Sequence, residues 1–406
     1  MRNFRLLTVG NAVSSYGSFL SMVALSLFAF HLTGSALQTG LFMALRLATS
    51  FVAGLLAGGL VSRLDRKRLM VGADLTQAVA LAGLVAAPVA LQSSLLYGVA
   101  VVTGACGTLS AVALRSSVPA IVGPDQRIRA NALLVTGRSI AMVAGFASAG
   151  LVVSTLGFTA ALLIDAATFL FSAVNLVRLP LTTREAPAPD AETPPGLLTA
   201  QRLAIGFLRG TPILLAMIAL RAIDGFGSAA HNVGLPVLSS TLDPAHPATF
   251  MAQFWTSWAV GNIVAQRVVA RWLSRGARSV SEWAFGLGAA LMSGAFILAF
   301  TTPPLILGVL IAVVAGIADG FTEIAYTSRL QAAPDVHRGY VFGFSAMVEN
   351  IGFGTGMVLS AALLERSSPL AVVATFHGTA VALALIFLGV LALRRRRRPA
   401  EPLPVS

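Results

Sequence analysis

Residues 36–61 read ALQTGLFMALRLATSFVAGLLAGGLV, residues 62–70 read SRLDRKRLM, and a second apolar stretch then runs to residue 91. About 20 mostly apolar residues cover the hydrocarbon thickness of a bilayer, so each flank is long enough to cross one. The connection between them carries Arg63, Arg66, Lys67 and Arg68. This alternation of spanning length and short basic loop decides the fold class, and it recurs along the chain. Segments near 8–32, 36–61, 69–91, 95–122, 129–154 and 157–178 qualify as spans, followed by 211–240, 248–273, 282–301, 304–328, 339–364 and 369–393. The expectation is an all-α polytopic membrane protein with twelve transmembrane helices.

Composition excludes a soluble globule. The 406 residues are 56% hydrophobic and 11% charged, with a mean hydropathy of +0.82, too little polar surface to cover a water-soluble body of this size. The formal charge of +12 raises nucleic acid as a partner, and the placement of the basic residues argues against it. Arg2 and Arg5 precede span 1, Arg127 and Arg129 join spans 4 and 5, and Arg267, Arg271, Arg275 and Arg278 surround the junction of spans 8 and 9. Arg338 lies between spans 10 and 11, and Arg394 to Arg398 close span 12. Residues 32–35, 91–94, 154–157 and 301–304, on the opposite connections, contain no lysine or arginine. By the positive-inside rule both termini face the cytoplasm, and the arginines serve topology and contact with lipid headgroups. The expected location is the plasma membrane.

Cys106 is the only cysteine, so neither an intrachain disulfide nor a cysteine metal cluster is expected. The first span begins after MRNFR but is too long and too polar, with Asn11, Ser14, Ser15, Tyr16 and Ser18, for a cleaved leader. Between residues 178 and 210 the apolar pattern stops, and Pro180, Pro187, Pro189, Pro194 and Pro195 accompany Glu185, Asp190 and Glu192. This reads as a cytoplasmic proline-rich linker over 180–209. It joins a bundle over 1–179 to a bundle over 210–398, with a tail over 399–406. Each half repeats a basic loop after its second span, SRLDRKRLM at 62–70 and ARWLSRGAR at 270–278. Gly54 and Gly58 form a GxxxG spacing, which lets two backbones approach.

The stretches GGLVSRLDRKRLMVGADL at 58–75, VPAIVGPDQRIRANAL at 118–133, LLIDAATFLFSA at 162–173 and PDVHRGYVFG at 334–343 carry a family resemblance over nearly the whole chain. The protein resembles the major facilitator superfamily and, within it, the branch of macrolide efflux proteins and the enterobactin exporter. The resemblance implies two pseudo-symmetric six-helix bundles and alternating access. It assigns Gly58, Asp65, Arg66 and Arg68 to the superfamily's conformational loop motif. Ser62 stands where that motif usually has an acid, Phe146 follows Gly145 where the branch usually has proline, and Tyr340 replaces a common arginine.

Charges inside spans are costly unless paired or wetted, which makes each one a functional candidate. At about 1.5 Å per residue, Arg221 and Asp224 in span 7 lie roughly 15 and 20 Å from the cytoplasmic edge. Asp319 and Glu323 in span 10 lie about 16 and 10 Å from the same edge. Each pair shares a helix face, three and four residues apart. The resemblance implies that spans 1, 4, 7 and 10 line a central cavity, so the two pairs are expected to meet. Three carboxylates against one guanidinium favour a shared, exchangeable proton, and Glu349 in span 11 is a further participant. Asp224, Asp319, Glu323 and Glu349 are thus proton-coupling candidates with Arg221 as their charge partner. The bland alternative pairs Arg221 with Asp224 alone and leaves Asp319 and Glu323 to hold neighbouring helices. Asn11, Ser15, Tyr16, Arg46, Arg138, His231, Asn232 and Tyr326 are substrate-cavity candidates, with helix packing as the bland reading for the serines. Asp165 is expected to be structural. Phe226, Trp255 and Trp258 offer aromatic surface, although aromatics near span ends more often anchor at the interface.

The function expected is a secondary exporter of a small amphiphilic organic compound, an antibiotic, secondary metabolite or siderophore, driven by proton antiport. A proton-coupled nutrient importer and a non-transporting sensor are the alternatives. Lys67 follows Arg66, so the GK pair of a P-loop is absent and an ATP-driven pump is disfavoured. No GxSxG elbow occurs, and the five histidines are scattered without metal-ligand spacing, so neither an enzyme nor a metal or other cofactor is expected. The expected partners are a small-molecule substrate, protons and the lipid bilayer, with a single chain as the working unit.

Overall fold

Several helix ends are set by glycine, proline or a capping side chain. The computed structural model describes residues 2–122, 127–179, 197–274 and 281–397. They form α1 (Arg2–Thr33), α2 (Ala36–Arg63), α3 (Arg66–Ala86), α4 (Val89–Val122), α5 (Arg127–Arg178) and α6 (Leu197–Gly210). The remaining helices are α7 (Pro212–Leu242), α8 (Pro247–Ser274), α9 (Glu282–Ala299), α10 (Leu305–Gln331), α11 (Asp335–Leu364) and α12 (Pro369–Arg397). Gly34 takes φ 63° to end α1, and the Ser35 hydroxyl then caps α2 by accepting from the Gln38 N–H. Asp65 and Ser281 cap α3 and α9 in the same manner. Pro212, Pro247 and Pro369 open their helices, where a missing N–H costs nothing.

Among the described residues, ten helices are long and apolar enough to cross a membrane by length and composition. α5 extends over 52 residues and holds spans 5 and 6, which the sequence separates at 154–157. The break is a single residue, Gly157 at φ 80° and ψ 175°, a conformation that side chains bearing a Cβ disfavour. α8 falls outside the ten, as Gln253, Asn262, Gln266 and Arg267 make it more polar. Its 28 residues still exceed the length a bilayer requires. Counting both arms of α5, the twelve expected spans are present, and the fold is all-α and polytopic.

α6 was not expected. It lies in the stretch read as linker, and its apolar residues keep a four-residue spacing, with Ala204 and Leu208 buried. Fourteen residues are too few to span, so the helix instead lays Leu208 into a core built from α7 to α12. Linker residues 180–196, the tail 399–406, and Arg275 and Arg278 lie outside the described residues.

Two compact units organise the chain. The first comprises Met1–Pro194, Ala229–Val260 and Gly354–Val372, and the second comprises Pro195–Ser228, Gly261–Phe353 and Val373–Ser406. α7, α8, α11 and α12 therefore each contribute one segment to either unit. In the first, Phe4, Leu7, Met70, Leu114, Leu134 and Leu176 share a core. Glycines set its closest helix contacts. A Cβ on Gly40 of α2 would collide with Ala361 of α11, and one on Gly150 of α5 would lie 2.9 Å from the Ala252 Cβ of α8. In the second unit, Phe285, Tyr326, Met217, Leu330 and Phe387 fill the centre. Large apolar side chains such as Leu56, Val79, Ile140, Ile306 and Ile386 are exposed, while Asp74, Asp165, Asp224 and His377 are buried. That inversion of the soluble pattern suits a lipid surround.

Candidate functional site

Within the second unit α7 aims Arg221 at three acids from three helices. Its Nη1 lies 3.1 Å from Asp224 Oδ2 one turn along α7, Nη2 lies 2.6 Å from Glu323 Oε2 of α10, and Nε lies 3.2 Å from Glu349 Oε1 of α11. The planar guanidinium suits this sharing, because its donors point outward along separate edges. A backbone fit makes the reach possible. A Cβ on Gly352 of α11 would collide with the Ala222 carbonyl of α7, and one on Gly225 would lie 3.4 Å from the Glu349 carbonyl oxygen. Only side chains as small as glycine let α7 and α11 approach this closely.

Exposure is graded across the cluster. The Asp224 side chain is 4% exposed and that of Arg221 13%, whereas Glu349 and Glu323 stand at 37% and 53%. A buried ion pair thus merges into a wetted one. Thr327 donates to the free oxygen Oε1 of Glu323 at 3.1 Å. The Arg221 guanidinium also sits 5.9 Å from the Tyr326 ring centre, and the Tyr326 hydroxyl is hydrogen-bonded to Ser345 of α11.

Asp319 takes a different partner. One turn before Glu323 on α10, its Oδ2 accepts from Asn262 Nδ2 of α8 at 3.2 Å, and Asn262 Oδ1 accepts from Gln266 Nε2 at 2.8 Å. Glycines again define the contact, since a Cβ on Gly261 would collide with the Val313 carbonyl of α10. A Cβ on Gly320 would lie 3.1 Å from the Asn262 carbonyl oxygen. Neither amide was singled out from the sequence. The usable signal was the polar pair Asn262 and Gln266, four apart and so on one face of α8.

The other expected site residues belong to the first unit. Tyr16 shares a hydrogen bond with Ser148 at 3.0 Å, and Arg138 lies 5.2 Å from the Phe19 ring centre. Asn11, Ser15 and Arg46 are half-buried on α1 and α2. His231 is buried, lies 3.2 Å from Asn232 Nδ2 and packs 5.9 Å from the Trp255 ring. Trp255 is no interface anchor. It is 5% exposed and stacks on Phe146 of α5 at 5.8 Å, because it faces the packed side of α8. Phe226, in the second unit, stacks on Phe376 at 4.5 Å.

Asp165 is 3% exposed, with the Thr168 hydroxyl 3.5 Å from its Oδ1 and Gly17 of α1 pressed against it. Asp74 of α3 was overlooked, although an acid inside a span is a signal by itself. It is 4% exposed. In the loop motif, Asp65 Oδ1 accepts from the Arg68 N–H at 2.8 Å, and Arg66 donates to the Ser116 carbonyl at 2.6 Å. Lys67, which the motif reading left out, donates to the Val177 and Leu179 carbonyls at 3.0 and 2.8 Å. The loop thereby ties α3 to α4 and to the end of α5. Gly58 lies within α2 and Arg68 is exposed.

Comparison with known proteins addresses the fold and the family. Among solved structures, a mutant of the nucleoside transporter NupG matches with TM-score 0.72 and 18% identity, covering 95% of this chain and 99% of that one. A bacterial homolog of the human lysosomal transporter Spinster, in an inward-facing and unoccupied conformation, matches at 0.71 and 16%, covering 98% of both chains. A D-xylose–proton symporter matches at 0.68 and 13%, covering 95% and 96%. At these identities the likeness concerns fold alone. No curated protein sequence matches. The sequence profile of the Major Facilitator Superfamily matches residues 7–333, and with that match and this fold the chain belongs to the Major Facilitator Superfamily of membrane transporters.

Proposed function

We propose that this protein is a proton-coupled secondary exporter of a small amphiphilic organic compound, of the macrolide-efflux and enterobactin-exporter kind, set in the plasma membrane with both termini in the cytoplasm. The observation that carries the proposal is the Arg221 cluster. One cation is held by three carboxylates, with Asp319 within electrostatic reach, at the level expected for the middle of the bilayer. Four acids facing one guanidinium leave an excess of negative charge, which a bound proton relieves. Losing that proton on one side and regaining it on the other alters the interactions that Arg221 makes with α10 and α11. Such a change is what alternating access needs from a coupling site. The excess negative charge also suits a solute with a cationic or proton-donating group beside an apolar body.

Uptake is the second reading, since a proton symporter for D-xylose shares this fold and the same cluster could serve either direction. The test is flux of a radiolabelled macrolide into proteoliposomes under imposed pH gradients of either sign. The parent protein is expected to move solute against the proton gradient, and Asp224→Asn and Asp319→Asn to lose the gradient dependence. Movement along with protons would establish the importer. Unaltered gradient-driven flux in both variants would remove proton coupling from this cluster.

A further inference from the structure

The acids of the cluster differ in what their partners can do. Arg221 only donates, so each of its contacts is strongest when Asp224, Glu323 or Glu349 is ionised. Asn262 is different, since a carboxamide has a donating NH₂ and an accepting oxygen on one planar group. In the arrangement present, Nδ2 faces Asp319 and Oδ1 faces Gln266, the orientation that serves an ionised Asp319. Half a turn of the amide places Oδ1 toward Asp319, where it accepts from a carboxylic O–H. Gln266 is exposed, so its own amide can rotate in step and keep the second bond.

We infer that Asn262 is a positioning residue that turns with the charge of Asp319, and that Asp319 is therefore the acid of the cluster that exchanges the transported proton. This rests on the proton-coupled reading above and specifies the acid. Uptake of one proton from water converts the Asp319 carboxylate to the acid, which donates to the turned Asn262 carbonyl oxygen. Release reverses both changes, so neither state leaves a polar group without a partner, the circumstance that otherwise makes a buried acid costly to switch.

The groups around Asp319 support the division of labour. Its charged neighbours are Arg221 and Asp224 of α7, Glu349 of α11 and Glu323 of its own helix. α8 presents the neutral Asn262. α9 packs through Gly288 against Ala318 and Thr322, and its acid Glu282 is engaged with Arg329 at 3.2 Å. Asp224, Glu323 and Glu349 each hold one nitrogen of Arg221, while Asp319 has the neutral, reversible amide. The glycine contacts at 261 and 320 hold α8 and α10 in register, so the amide can rotate while the backbones stay in place.

Infrared difference spectroscopy on the full chain in lipid nanodiscs, comparing neutral with acidic pH, tests this without any solute. A carboxylic C=O band is expected on acidification. It should vanish in Asp319→Asn and persist in Glu349→Gln. In Asn262→Leu the band should remain but move to the higher frequency of an acid lacking that partner, and Asn262→Gln should restore much of the original position. Persistence of the whole band in Asp319→Asn, or an unmoved band in Asn262→Leu, overturns the inference. Asp319→Asn, nearly isosteric, decides the matter alone if the leucine variant is lost in purification. Gradient-driven flux with a band that survives Asp319→Asn would sink the assignment and spare the transport reading. A band belonging to Asp319 without gradient-driven flux would do the reverse.

Discussion

Both compact units bury an aspartate in a membrane helix, and they hold it by different means. In the second, Asp224 is joined to a guanidinium that also serves Glu323 and Glu349, so charge gathers side chains from three helices. In the first, Asp165 is enclosed by close packing, with Gly17 of α1 against it, the Thr168 hydroxyl beside it and Arg46 acting only at longer range. The difference teaches that burial alone does not separate the acids proposed for coupling from one held by packing. An acid that shares a cation with other acids can redistribute charge when a proton arrives, while one wedged among small residues mainly fixes where two helices cross.

The comparison breaks most directly at Arg221. Replacing it with alanine leaves Asp224 buried and unpaired, and loss of one partner of a buried ion pair costs about 3–5 kcal/mol. A large fall in the thermal midpoint in detergent is expected, with Arg221→Lys recovering only part of it because an ammonium cannot serve three edges at once. A midpoint within a degree of the parent would show that the acids do not depend on the guanidinium. In the first unit, packing is the thing to disturb. Gly17→Val places atoms where Thr168 and Asp165 already stand, and overpacking of this kind costs about 1–3 kcal/mol. The same thermal measurement should show that smaller loss, with the dependence of flux on the pH gradient retained. A changed gradient dependence would make Asp165 a participant in coupling rather than a structural acid.

The smallest effect is expected at Glu365, in the turn after α11. Its Oε1 accepts from the Leu37 N–H and from the Ser35 hydroxyl at 2.7 Å each, at the first turn of α2. The Leu37 N–H first, and the Ser35 hydroxyl next, hold this carboxyl below its ordinary range, as expected for an anion at a helix N-terminus. A carboxyl held low in the folded state stabilises it fully above the unfolded value, about 4.3, and that contribution disappears as pH falls through the lower folded value. The group is exposed and screened, so Glu365→Gln should shift the thermal midpoint by about a degree at neutral pH. The two proteins should converge in strong acid, and a gap that widens there would contradict the bond.

Much of this was legible beforehand because the governing rules are one-dimensional. The apolar runs place twelve spans, and between spans 5 and 6 the boundary is reduced to the single non-helical residue Gly157. Fixed rise per residue placed Arg221, Asp224, Asp319 and Glu323 at neighbouring depths. The family resemblance, which lines a central cavity with spans 1, 4, 7 and 10, supplied the expectation that α7 meets α10, and Arg221 pairs with Glu323 across those two helices. α6 escaped because fourteen residues flanked by prolines look like linker, and its amphipathic pattern acquires meaning only against a core. Trp255 was misjudged because position along a span says nothing about which side of the helix faces other helices.

What the sequence by itself determined is the medium and the number of crossings, and it set an expected depth for each ionisable group, since all three follow from hydrophobicity and length measured along one axis. Only the tertiary structure decided which acid meets which partner. That choice depends on the rotation of each helix about its own axis and on backbone approaches at Gly225, Gly261, Gly320 and Gly352, and no periodicity in the sequence specifies them. Glu349 reaches Arg221 while Asp319 is given to Asn262 for that reason.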